Sequence, residues 1–152
     1  MPFVTMPYSK RLSDLVVHEI DPSVGYGRKC VNVTPPAGGA AVEIGTVVYR
    51  AKGTNPEGAY AVLSAAAQIA ETNEFAVIYG DHYSFNPSFV PRAIAAGQYN
   101  AVGFVGHSGG LQLKEYYIRQ FADTLGTPLT DAQFASLKEV LEKQGIVVLE
   151  TK

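Results

Sequence analysis

Residues Gly106-His107-Ser108-Gly109-Gly110 read GHSGG and fit the pattern G-x-S-x-G. The reading of these five residues decides the fold. As a nucleophile elbow they would set a serine on a strained turn between a strand and a helix, inside a sheet covered by helices. As an ordinary glycine turn they would join two strands of a β-rich domain. The segment before the motif, NAVGFV (100–105), reads as a strand, and the segment after it, LQLKEYYIRQF (111–121), suits strand or helix. Chain order separates the two readings. The elbow fold places its acid and its histidine after the serine, whereas His18, His82 and His107 all precede Ser108. His107 is the direct neighbour of Ser108, and adjacent side chains on a strand diverge. His82 would have to approach through space in an unusual order. A chain of 152 residues is also short for a sheet with helices on both faces and a substrate cleft. The sequence therefore favours a turn between two antiparallel strands, with glycines at 106, 109 and 110 supplying left-handed backbone. A small serine hydrolase centred on Ser108 stands as the alternative.

Outward from the motif the pattern is mostly β. FAVIYG (75–80) is a short solid apolar run and predicts a buried strand. RKCVNV (28–33) alternates, and VEIGTVVYRA (42–51) is rich in β-branched residues, with Gly45 at a bulge or a close approach. GTNPEG (53–58) is a turn cluster, and AYAVL (59–63) closes a hairpin across it. AAAQIAETNE (65–74) has helical propensity but is short and ends on polar residues. Residues 81–100 are punctuated by Pro87 and Pro91 and predict irregular structure. Near the end, Thr130 and Gln133 form a capping box, with Leu129 and Phe134 at the two staple positions. Phe134, Leu137, Val140 and Leu141 then recur at helical spacing, Gly145 stops the helix, and IVVLE (146–150) is a final strand. The fold class is mainly β with one or two helices, an α+β domain.

Composition narrows the function. Twelve basic and fourteen acidic residues give a net charge of −2, which gives no reason to expect a nucleic-acid partner. Charged residues make up only 17% of the chain, a density that suits a protein that hides surface against partners. Cys30 is the single cysteine, so it forms no internal disulfide and no zinc site, and its strand-like surroundings predict a buried thiol. No apolar run reaches the ~18 residues of a membrane span. The opening MPFVTMPYSKRLSDL lacks the basic leader and apolar block of a signal peptide, so a reducing cytoplasm is the expected site of synthesis. Asp81, His82 and Tyr83 suggest metal ligands only weakly, because a site needs three or more converging groups. The aromatics at 79, 83, 85, 89, 99, 116 and 117 exceed the needs of a small core, and such residues are enriched at interfaces. A glycan-binding surface built on Tyr79, Tyr83, Tyr99 and Phe89 is a further alternative.

Residues 1–27 differ from 28–152. Pro2, Pro7, Pro22, Gly25 and Gly27 interrupt them, and their one apolar patch is Leu12 to Val17. This predicts an extended N-terminal arm, only partly ordered alone, followed by a compact domain.

The sequence resembles the head decoration (cement) proteins of tailed phages, the family that includes lambda head protein D. The resemblance lies in the order of its pieces. The arm carries KRLSDLVVHE (10–19). EIGTVVYRA (43–51), GAYAVL (58–63), FAVIYG (75–80) and AVGFVGHSG (101–109) follow. A helix ending in a Gly-Ile strand, LKEVLEKQGIVVLE (137–150), closes the series. The stretch 81–100 departs from the small members. The resemblance implies a compact β-tulip fold and a non-enzymatic protein without cofactor or metal, usually a homotrimer, with a dimer also open. It implies a place on the outer surface of the expanded head, in the virion, reached from the host cytoplasm during assembly. There it would bridge major capsid subunits and hold the shell against the pressure of packaged DNA.

On this reading the capsid-binding residues are Lys10, Arg11, Leu12, Leu15, Val16 and Val17, with Asp14 and Glu19 adding polar contacts. Burying the four aliphatic side chains would yield about 6–10 kcal/mol, and ordering the backbone at about 1–2 kcal/mol per residue would offset much of it. One arm would bind marginally, and several on one oligomer would bind tightly together.

Overall fold

The computed structural model describes residues 11–19, 28–53, 59–81, 88–91, 103–106 and 110–150. The last forty of these show most directly how sequence becomes structure. Helix α3 spans Asp131–Lys143. Its capping box is made: the Gln133 amide donates to Thr130 Oγ1 at 3.3 Å, and the Thr130 amide donates to Gln133 Oε1 at 2.9 Å. Two of the helix's orphan donors are thereby satisfied. Leu129 and Phe134 are both buried, as a staple requires, and Phe134, Leu137, Val140 and Leu141 form the inward stripe. Gly145, at φ +86°, ends the helix. Strand β10, Ile146–Leu149, then runs parallel to β9, Leu111–Lys114, with Ile146 opposite Leu111 and Leu149 opposite Lys114. Between the helix and β10, Gln144 accepts from the Phe75 amide at 2.8 Å and donates to the Asn73 carbonyl at 3.1 Å. The side chain stands in for a missing strand at the start of the strand Asn73–Gly80.

β6 is Asn73–Gly80 and lies in the middle of a five-stranded sheet. The other members are β2 (Arg28–Val31), β4 (Val47–Ala51), β5 (Ala61–Val62) and β8 (Gly103–Gly106), in the order β2-β8-β6-β4-β5, every neighbouring pair antiparallel. FAVIYG is apolar throughout because both faces of β6 are covered. Phe75, Val77 and Tyr79 join the main core, with Val47, Leu111, Leu113, Ile146 and the stripe of α3. Ala76 and Ile78 point the other way, into a smaller cluster with Val31, Val33, Val42, Val48 and Tyr60. A two-stranded sheet of β3 (Val42–Glu43) and β7 (Ser88–Phe89) supplies part of that second cover through Val42 and Phe89. The described residues are thus mainly β, with α3, a second helix α2 over Glu115–Asp123, and one helical turn, α1, at Leu12–Leu15.

Several expectations change. VEIGTVVYRA is two strands, because the chain turns at Ile44 and Gly45. A Cβ at Gly45 would sit 2.6 Å from Tyr117 Cβ, so this glycine serves a close approach between the turn and α2. LQLKEYYI is both a strand and a helix, β9 followed by α2. AAAQIAETNE gives a 3-10 turn at Ala66–Gln68 and then the start of β6. Cys30 is exposed, not buried. It sits on β2, the edge of the five-stranded sheet, where Val31 turns inward and the alternate position faces out. β8 and β9 lie in different sheets, so the glycine segment between them passes from sheet to sheet and closes no hairpin.

The boundary at residue 27 also shifts in meaning. Residues 11–19 belong to the body: β1, Val16–His18, pairs antiparallel with β9 and completes a three-stranded sheet, β1-β9-β10. The apolar patch that distinguishes the arm in sequence is what anchors it, through Leu15.

One polar cluster secures the edge of the second core. Glu74 accepts from Lys29 Nζ and from Arg50 Nε and Nη2, each at 3.2 Å, and from the Tyr60 hydroxyl. The Tyr60 ring also lies 4.6 Å from the Arg50 guanidinium and 5.2 Å from Lys29 Nζ. Burial opposes ionisation of Glu74, but the bonds from Tyr60, Arg50 and Lys29 outweigh it and bring its carboxyl from the ordinary 4.5 down to about 2. A depressed carboxylate stabilises the fold above its unfolded pKa and loses that contribution as pH falls from near 4.5 through about 2. The Glu74 side chain is 31% exposed, so screening limits the effect. Glu74→Gln is expected to lower Tm by about 2–4 °C at pH 7, with the gap to the wild type closing between pH 5 and pH 2. Thermal melts across that range check it; a gap of constant size would show that the charge contributes nothing.

Candidate functional site

The segment expected to bind begins with Lys10, which lies outside the described residues. Arg11 is exposed and is followed by the turn α1, where the Asp14 amide donates to the Arg11 carbonyl at 3.0 Å. Leu12 and Val16 are half-buried against the main core, and Leu15 is completely buried within it. Val17 is 48% exposed and is one of the few large apolar side chains that face solvent. The five expected binding residues that are described therefore divide. Arg11, Val17 and the outer parts of Leu12 and Val16 are at the surface, while Leu15 is a core residue. Its spacing had made it look like one more anchor, because a helical turn running into a strand puts neighbouring aliphatics on opposite sides.

Polar contacts fix the same segment along its length. Lys114 Nζ donates to the Ser13 carbonyl at 3.3 Å, and the Tyr117 hydroxyl donates to Asp14 Oδ2 at 3.3 Å. At the far end Glu19 is held against β2 and β6. Arg28 Nε donates to its two carboxylate oxygens at 2.8 and 3.1 Å, Arg28 Nη2 donates to Oε2, and the Tyr79 hydroxyl donates to Oε1 at 3.2 Å. The Glu19 side chain is 5% exposed, so this is a buried ion pair whose separation would leave a charge without a partner. The hydrogen bonds it donates to Glu19 raise the Arg28 pKa against the opposing effect of burial. Burial, and then the charge of Glu19, push the Tyr79 hydroxyl well above the usual phenol range, so it remains a donor. Sequence reasoning placed Glu19 among outward polar contacts and Tyr79 on a possible glycan surface. Neither assignment fits, since both side chains are buried against each other. No signal in the sequence separates this glutamate from its exposed neighbours.

The result is a short edge strand beside a shallow groove of about 530 Å³ lined by Leu12, Val16, Val17, His18 and Arg28 among others. Among the described residues β1 pairs with β9 alone, and no strand lies along its second edge. Open strand edges accept a further strand from another chain.

The hydrolase alternative fares differently. His82, His107 and Ser108 lie outside the described residues. The elbow needs a helix directly behind its serine, and here strand β9 follows at Leu111, with α2 only from Glu115. Gly110 has φ +73°, as a glycine turn requires. Gly106 is needed for another reason: a Cβ there would fall 2.3 Å from the Tyr79 hydroxyl oxygen and 2.5 Å from Leu111 Cδ2. Among the other aromatics singled out, Phe89 packs on the second core, and Tyr83, Phe85 and Tyr99 lie outside the described residues. Tyr116, at 64%, is the most exposed large apolar side chain among the described residues. No group of three possible metal-binding side chains occurs among the described residues, and no described helix is long and apolar enough to cross a membrane.

Neither family models, curated proteins nor solved structures gave a match to this chain.

Proposed function

We propose that the protein decorates and cements a tailed-phage head, binding the outside of the expanded shell and bridging major capsid subunits without chemistry of its own. The observation that carries the reading is the ordered series of sequence pieces, from KRLSDLVVHE to the helix-Gly-Ile-strand close at 137–150. The second edge of β1, along which no described strand lies, supports this physically, because it offers backbone donors and acceptors beside the exposed Val17. A homotrimer, or a dimer, would present several such edges at once and turn weak individual contacts into tight attachment.

The experiment is co-sedimentation of the full chain with expanded and unexpanded heads, beside a solution mass measurement. Binding to expanded heads alone is expected. Equal binding to both, or to neither, removes the reading. Truncation should stop before Leu15: deleting residues 1–10 keeps Leu15 and Glu19 in place, and the shortened protein should melt normally while sedimenting less with expanded heads.

A further inference from the structure

The two ends of the segment 11–19 are held by different means. The front is fixed by packing: Leu15 is fully buried in the main core, and Leu12 and Val16 are half-buried beside it. The Val16 amide closes the turn α1 by donating to the Leu12 carbonyl, so that residue belongs to the front by its backbone as well. The rear, residues 17–19, has no such anchor in the core. Val17 and His18 are exposed. Strand β1 is three residues long, with Val16 opposite Leu113, His18 opposite Gln112 and an irregularity of register between them. A pairing this short does not hold itself, because the net gain from each hydrogen bond is no larger than the entropy lost in ordering each residue.

What holds the rear is Glu19, directly after β1. Its carboxylate reaches across to the five-stranded sheet, where Arg28 of β2 and the Tyr79 hydroxyl of β6 donate to it. The tie is all-or-none. With residues 17–19 in place, losing one partner leaves the other as a charge shielded from water, which is costly. An outward swing of the same residues avoids that cost. Arg28 lies on the edge strand of its sheet with its side chain already 22% exposed, and Glu19 follows the exposed His18, so a small displacement returns both charges to solvent. Nothing in that movement disturbs Leu15. The junction of α1 with β1 at Val16 is where the fixed front meets the releasable rear.

We infer that Glu19, Arg28 and Tyr79 form a latch: while it is closed β1 lies against β9, and when it is released residues 17–19 open as a unit with the turn 12–15 still docked. The inference does not depend on capsid binding and fails or stands by its own test. Backbone 15N order parameters are measured on the full-length wild type and on Glu19→Gln, which removes the charge and keeps the size of the side chain. In the wild type the amides of residues 17–19 are expected near the rigid value of about 0.85, and in Glu19→Gln below about 0.6. The Val16 amide and those of α3 should not change. Arg28→Lys keeps the charge but gives up the paired guanidinium donors, and should show the same local pattern in weaker form; it serves as the milder variant if Glu19→Gln does not fold. Unchanged order parameters at 17–19 in the variants overturn the latch. So does a wild type in which these residues are already mobile. A loss of order that spreads equally to Val16 and α3 overturns it as well, because the ion pair would then support the whole domain and not one releasable segment.

Discussion

Leu15→Ala is expected to destabilise the protein by about 2–5 kcal/mol, lowering Tm by about 5–15 °C, although the residue lies in the segment that reads as a detachable arm. The reason is burial. Leu15 is fully enclosed and shares the main core with Leu111, Leu113 and Ile118, so truncating it removes apolar area and leaves a cavity among side chains that β9 and α2 hold in place. Val17→Ser, two residues on, is the control. Val17 is 48% exposed, and its substitution should change stability by no more than about 0.5 kcal/mol. The pair separates two roles that the sequence merges. If residues 11–19 act as a strap whose outer edge meets capsid, Leu15→Ala lowers Tm, and Val17→Ser lowers co-sedimentation with expanded heads at unchanged Tm. If instead the segment is loose in solution, Leu15→Ala leaves Tm where it was. Thermal melts and sedimentation of the two variants decide between these outcomes.

Much of the architecture was legible because local signals and tertiary needs agree. Thr130, Gln133 and Gly145 mark the ends of α3 through bonds made within a few residues, and the stripe from Phe134 to Leu141 follows helical spacing. FAVIYG announces a strand covered on both sides, and it is one. What stayed hidden depends on partners distant in sequence. Gly45 breaks one β-branched run into two strands because the backbone of Tyr117, seventy-two residues on, lies against it. Cys30 and Val31 are neighbours in a strand-like run, and only the second core's cover over one face of β2 decides which of them faces out. The candidate site was harder still. Arg11, Leu12, Val16 and Val17 do reach the surface near one another, but Leu15 and Glu19 are claimed by contacts with β6, β9 and β2 that no local pattern encodes.

Gly106→Ala carries the other large expected effect, and it bears on why GHSGG has its first glycine. Gly106 lies within β8, opposite Val77 of β6 and Arg28 of β2. A methyl group there would meet the Tyr79 hydroxyl oxygen at 2.3 Å, Leu111 Cδ2 at 2.5 Å and Tyr79 Cζ at 2.6 Å, so something must move. Neither neighbour moves cheaply. Leu111 is 1% exposed in the main core, and Tyr79 is 4% exposed with its hydroxyl on Glu19. Overpacking of this kind costs about 1–3 kcal/mol, and a shift of Tyr79 would also loosen the buried Glu19–Arg28 pair, adding to that cost. The substitution should therefore lower Tm by at least about 3 °C. The double variant Gly106→Ala/Tyr79→Phe, which removes the clashing oxygen, should lose less than the sum of the two single changes. Additive losses would mean that the phenol is not what reserves the space. A catalytic elbow predicts a different pattern: hydrolysis of a generic ester panel that Ser108→Ala abolishes. The steric reading requires only that β8 pass close under Tyr79, and it accounts for Gly106 without calling on the serine two residues away.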